Sequence, residues 1–183
     1  MNIPNSLSLL RIGLIPCFVI TYYLPFSWSQ TVAASIFGIA AVTDWLDGYL
    51  ARRMQQISKL GAFLDPVADK LMVAVVLVVL LQANPSIALA LPVAVIIGRE
   101  ITVSALREWM SELGARKHVA VSNLGKVKTA VQMVAVVLLI LKGSMPGIPF
   151  YEVGFGLLYL ATALTLWSMG QYLIAAWPEL SRH

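Results

Sequence analysis

A chain of 183 residues that is 59% hydrophobic and only 12% charged, with a mean hydropathy of +0.82, is not a soluble domain, in which about a quarter of residues carry charge. It reads as an all-α integral membrane protein; at about 20 residues per span the length allows about six transmembrane helices in one domain over residues 1–183 and leaves almost nothing for a soluble one. The net charge of +4 and the lone Cys17 point away from nucleic acid and from disulfide or cysteine–zinc frameworks, and toward basic loops that meet anionic lipid head groups.

In chain order, Pro4 suits the first turn of a helix and the small polar residues around it, Asn2, Asn5, Ser6 and Ser8, suit capping. A short amphipathic segment is therefore expected to lie at the surface and feed a first span ending near Leu24. A cleaved signal peptide is the competing view, but the start lacks a basic cluster, and Arg11 and Pro16 interrupt the apolar run. Residues 23–30 form an uncharged turn with interfacial aromatics. The second span runs from Thr31 to Arg53, with a polar link from Gln55 to Lys59, and the third from Leu60 to Leu81. Asn84-Pro85-Ser86 is the next turn. The fourth span starts at Ile87; its last part, Arg99 through Glu112, is too charged for lipid and is expected to emerge into water. Gly114 to Ser122 is a basic connector holding Arg116, Lys117 and His118. The fifth span runs from Asn123 to Lys142, Gly143 to Pro149 is a Gly/Pro turn, and the last span runs from Phe150 to Trp177. Of the 13 Lys and Arg residues, only Lys142 falls with the first, third and fifth turns. The opposite side holds Arg52, Arg53, Lys59, Arg107, Arg116, Lys117, Lys126, Lys128 and Arg182, which places both termini there and makes that side cytoplasmic.

The chemistry concentrates between Asp44 and Asp69. On a helix, Asp44 and Asp47 are three apart and share a face, as do Asp65 and Asp69, four apart. Gly48, Ala51 and Gly61 keep the space beside them open. Four like charges need cations, or their pKa values must rise. With oxygen ligands and no His or Cys, the expected partners are two hard divalent ions, Mg2+ or Mn2+. Two such ions about 3.5–4 Å apart form a clamp for in-line displacement at phosphorus, with Asp44 and Asp65 bridging, Asp47 completing one site, and Asp69 completing the other or taking a proton from an attacking hydroxyl. Ionised residues within spans are functional by default; the plain alternative is that one or two of them pair with Arg52, Arg53 or Lys70. Arg99, Arg107 and Lys126, near the same ends of spans four and five, are the candidates for gripping a phosphate, unless the arginines simply pair with Glu100, Glu108 or Glu112. Lys128 is about 200° round the helix from Lys126, so one of the two is expected to face that pocket.

The run Asp44-x2-Asp47-Gly48-x2-Ala51-Arg52-x8-Gly61-x3-Asp65-x3-Asp69 resembles the full motif of the CDP-alcohol phosphotransferase family, with every fixed position met. Asn2-Ile3-Pro4-Asn5, Arg99-Glu100-Ile101…Leu106-Arg107 and Gly125-Lys126-Val127-Lys128-Thr129 resemble one bacterial branch of it. The resemblance implies the family's fold of six membrane helices, a homodimer in the bacterial inner membrane, and a site open to the cytoplasm. It implies CDP-diacylglycerol as donor, sn-glycerol 3-phosphate as acceptor, and phosphatidylglycerophosphate and CMP as products. It also implies that Asp44, Asp47, Asp65 and Asp69 bind the metals and that Asp69 is the base. Gly48 and Ala51 are then read as room for the nucleotide, and Asn5, Ser8, Thr43 and Arg52 as further donor contacts. Three rivals remain: another alcohol acceptor within the family, a cation transporter, and a structural membrane subunit. No internal repeat of the kind many transporters show is visible, and four intramembrane acids would be an unexplained cost in a structural subunit.

Overall fold

The predicted turns at 23–30 and 84–86 each end a helix, and each apolar run fills one. In the computed structural model the helices are α1 (Ile3–Tyr23), α2 (Ser29–Met54), α3 (Lys59–Ala83), α4 (Ile87–Glu112), α5 (Asn123–Ile140) and α6 (Phe150–Leu180); there is no strand among the described residues. The structure describes residues 3–54, 59–112, 123–142 and 147–180, and the side chains of 3–5, 44–54, 59–66, 111–112, 123–126, 175–176 and 178–180 lie outside that description. The connector with Arg116, Lys117 and His118 also lies outside it. From Ile3 the expected surface segment and the first span are one continuous helix, with Pro16 accommodated inside it.

The turn residues act through specific bonds. Ser86 caps α4: its Oγ accepts from the Leu89 backbone N–H at 3.2 Å, satisfying one of the orphan donors of a helix start. Asn84 closes α3 by donating from Nδ2 to the Leu80 carbonyl at 3.3 Å. Gly147, at φ 84°, supplies the left-handed residue that the turn into α6 requires.

The helices are long enough for a bilayer. Even α5, with 18 residues, spans about 27 Å at 1.5 Å per residue, against a hydrocarbon core of about 30 Å. Ser6–Tyr23, Ile87–Met110 and Phe150–Ile174 are each apolar enough throughout to cross a membrane, and Ser29–Thr43 and Val127–Ile140 are shorter apolar stretches. Ile20, Trp167, Ile174 and Trp177 are exposed, as side chains that face lipid tails are.

Packing divides the bundle into two triads. α1 packs extensively on α2 and α3, while α6 packs on α4 and α5; fewer contacts join α2 and α3 to α4 and α5. The core that fuses them includes Phe18, Phe37, Val76, Leu77, Leu80, Ile96, Leu139 and Leu158. The α5–α6 seam is the tightest. A Cβ at Gly154 would lie 3.0 Å from Leu138 Cβ and 3.0 Å from the Leu139 nitrogen. In lipid, where burial of oil offers little drive between helices, small residues allow this backbone approach and the dispersion contact it brings.

Candidate active site

The motif falls on the facing ends of α2 and α3. Helical backbone runs through Asp44 and Asp47 on α2 and through Asp65 and Asp69 on α3, so each pair occupies positions about one turn apart. The side chains of Asp44, Asp47 and Asp65, with those of Asn5, Ala51, Arg52 and Lys126 and the Gly48 position, are outside the described set. Among the described residues no three metal-ligating side chains cluster.

Asp69 is described and stands at a junction of four helices. It lines a narrow cleft with about 10 Å³ of free room, with Arg11 from α1, Phe37, Ala40 and Ala41 from α2, Met72 and Val73 from α3, and Met133 from α5. Arg11 is 1% exposed, deep in an apolar helix. A buried arginine inside a span is a functional signal in its own right, whereas hydropathy marks it only as a break in an apolar run. Ser8, one turn earlier on α1, is fully buried. Thr43 is buried as well, and its hydroxyl donates to the Ile39 carbonyl at 2.7 Å, leaving it lone pairs with which to accept. Lys70, the next residue after Asp69, donates to Ser104 on α4.

The second cluster belongs to α4, α5 and α6. Arg99 Nη1 donates to Glu100 Oε1 at 2.9 Å, and Lys128 Nζ donates to the same oxygen at 2.8 Å. Arg99 is 8% exposed and Lys128 2%. From Arg99 onward α4 keeps one face buried, at Arg99, Val103 and Met110, and the other exposed, and the buried charges are tolerated because Glu100 offsets both cations, as buried charge requires. The structure brings Lys128 to Arg99; the side chain of Lys126 is outside the described set. α6 answers with a buried polar stripe, Thr165, Ser168 and Tyr172, spaced three and four apart so that they share a face. Ser168 Oγ accepts from Arg99 Nη2 at 3.3 Å, and Tyr172 Oη accepts from Arg107 Nη2 at 2.7 Å. Pairing of Arg99 with Glu100, the plain alternative, does occur. It leaves the cluster cationic: among these side chains three positive charges face one negative. Moreover, the Nε–H groups of Arg99 and Arg107 are buried and have no hydrogen-bond partner among the described residues. A buried donor without an acceptor costs about 1–3 kcal/mol. Two of them in one cationic cluster form a site short of an anion.

Paired acids at one helix junction and spare guanidinium donors at another are what joining an anionic nucleotide to an anionic acceptor would need. The family model for CDP-alcohol phosphatidyltransferase matches residues 1–167. The chain belongs to this family. Proteins named CDP-diacylglycerol–glycerol-3-phosphate 3-phosphatidyltransferase are similar to it over nearly its whole length. The one from Pseudomonas fluorescens is 56% identical over 182 residues, covering 98% of this chain and 92% of the relative. The one from Salmonella typhimurium is 54% identical over 179 residues, covering 98% and 97%. The one from Sodalis glossinidius is 52% identical over 183 residues, covering 100% and 99%. As a CDP-alcohol phosphatidyltransferase the chain is a transferase enzyme of phospholipid synthesis, carried on membrane helices. The family generally uses divalent metals, and four carboxylates at helical spacing, with Asp69 partly buried at a helix junction, are a donor set that suits hard cations.

Proposed function

We propose that this protein transfers the phosphatidyl group of CDP-diacylglycerol to sn-glycerol 3-phosphate, giving phosphatidylglycerophosphate and CMP, at the cytoplasmic face of a bacterial inner membrane. The observation that carries this reading is the likeness, 52–56% identical over nearly the full length, to proteins named for that reaction. The unpaired donors of Arg99 and Arg107 support an acceptor that brings its own phosphate.

Asp44, Asp47, Asp65 and Asp69 are assigned to hold two divalent ions, Mg2+ or Mn2+, which when bound would neutralise the donor pyrophosphate and stabilise the departing oxygen. Asp69 also takes the proton of the acceptor's free hydroxyl. That oxygen bonds to the phosphorus carrying diacylglycerol, the bond from this phosphorus to the oxygen of the CMP phosphate breaks, and CMP leaves with the electron pair. Gly48 and Ala51 leave room for the nucleotide, and Asn5, Ser8, Thr43 and Arg52 contact the donor. Thr43, with its proton committed to Ile39, does so as an acceptor. Arg99, Arg107 and Lys126 bind the acceptor's phosphate, and Lys128 stands beside Arg99 as a further cation that Glu100 offsets. The working unit is a homodimer with both termini on the cytoplasmic side, as the distribution of Lys and Arg favours.

The test is release of CMP from CDP-diacylglycerol by purified protein given one alcohol at a time. Turnover with glycerol 3-phosphate, and none with serine, inositol phosphate or phosphatidylglycerol, is expected. Turnover with one of the others and not with glycerol 3-phosphate would overturn the assignment.

A further inference from the structure

We infer that Tyr172 is a positioning residue for the acceptor's phosphate, acting through both Arg107 and Arg99; the inference rests on the acceptor assignment made above. The two arginines are on α4, about two turns or roughly 12 Å apart along its axis. The tyrosine comes from α6. Its hydroxyl accepts from Arg107 Nη2 at 2.7 Å, and its ring centroid lies 5.1 Å from Arg107 Cζ and 5.8 Å from Arg99 Cζ. One ring thus stands against two guanidinium groups, and the negative face of an aromatic ring attracts cations at this range.

The ring itself is held in place. Tyr172 is buried with Val103 and Met110, and Leu106 and Met169 pack on the same cluster. One turn earlier on α6, Ser168 donates to the Thr165 carbonyl at 2.9 Å, which turns its oxygen toward Arg99 Nη2. An arginine left to itself samples many rotamers, and fixing it on binding an anion would cost entropy. Here α6 has fixed both before any ligand arrives, and it occupies Nη atoms while leaving each Nε–H unpartnered and buried. That is preorganisation of an anion site from a neighbouring helix. A fault in it should appear in the concentration of acceptor required, not in the chemical step or in the donor's affinity.

Steady-state kinetics of the purified protein, with glycerol 3-phosphate and CDP-diacylglycerol varied separately, test this on Tyr172→Phe, Tyr172→Leu, Arg107→Ala and the Arg107→Ala/Tyr172→Leu double variant. Losing a hydrogen bond to a charged group is a change of about tenfold. Tyr172→Phe should therefore raise the acceptor KM about tenfold and Tyr172→Leu by more, with kcat and the donor KM within about twofold of the parent. In the Arg107→Ala background Tyr172→Leu should add less than it does alone, because the two act as a unit. An unchanged acceptor KM, an equal rise in both KM values, or full additivity would overturn the role of Tyr172. If Tyr172→Leu fails to fold, Tyr172→Phe decides. If Arg107→Ala itself leaves the acceptor KM unchanged, the acceptor assignment falls and takes this role with it. If Arg107→Ala raises that KM and neither tyrosine variant does, only the positioning role falls.

Discussion

Where α1 turns into α2, α3 into α4 and α5 into α6, polar side chains close on one another. Tyr23 donates to Gln82 at 2.7 Å, Tyr159 to the Ala88 carbonyl at 2.8 Å, and Lys142 to Asn84, while Phe26 stacks on Trp28 with ring centroids 5.1 Å apart. Burial holds the Lys142 ammonium below the usual lysine range. Toward the other end the side chains are charged, and their bonding is incomplete: Arg99 and Arg107 each keep a buried donor without a partner among the described residues. The first region satisfies its polar groups and so fastens the helices. The second spends folding energy to hold charges in register and keeps hydrogen-bonding capacity in reserve. Under the proposed function, that difference separates polar groups that serve the fold from those that serve a ligand.

Substitutions that separate the two regions can be ranked. Asp69→Asn should lower turnover by about a thousandfold or more, the range for losing a general base, while CDP-diacylglycerol binding survives; loss of binding or folding instead would contradict the base role. Removal of metal with EDTA should abolish turnover to a similar degree, with recovery on adding Mg2+ or Mn2+, and crystals soaked in manganese should show anomalous peaks between α2 and α3. Glu100→Gln should cost about 3 kcal/mol of stability, because Arg99 and Lys128 would remain buried without their counter-charge. Thermal unfolding in detergent reads this, and an unchanged midpoint would mean water already shields the pair. Arg107→Ala should raise the acceptor KM about tenfold or more, and the donor KM little; an equal rise in both would remove it from the acceptor site. Tyr23→Phe, at the fastened end, should cost about 1 kcal/mol and leave both KM values alone. A change in kinetics there would erase the contrast between the two regions.

Much of the fold was legible because this chain punctuates itself. Pro25, Asn84-Pro85-Ser86 and Gly147 mark the breaks, and the predicted spans agree with the helices to within about one turn at most ends. What hydropathy could not read was the charge inside α4, since it does not see a partner waiting on another helix. Arg99 with Glu100 and Lys128 is that case. The spacing offered the motif acids and the arginines as candidates. What spacing could not give was adjacency between helices far apart in sequence. Lys128 beside Arg99, Arg11 in the cleft of Asp69, and Tyr172 on two guanidinium groups each depend on which faces α1, α4, α5 and α6 turn inward. A signal for the last existed: Thr165, Ser168 and Tyr172 repeat at helical spacing along an otherwise oily α6, and a polar stripe that survives in lipid has something to answer to.

The motif acids and the cluster of Arg99, Arg107 and Lys128 lie on different triads, α1–α3 and α4–α6, each packed mainly within itself. Under the proposed function, chemistry at the nucleotide and choice of alcohol would then fall to separable parts of the bundle. Such an architecture can acquire a new acceptor by rewriting the second three helices and leaving the first untouched. Chimaeras cut between Ala83 and Ile87 would be the natural currency of that exchange.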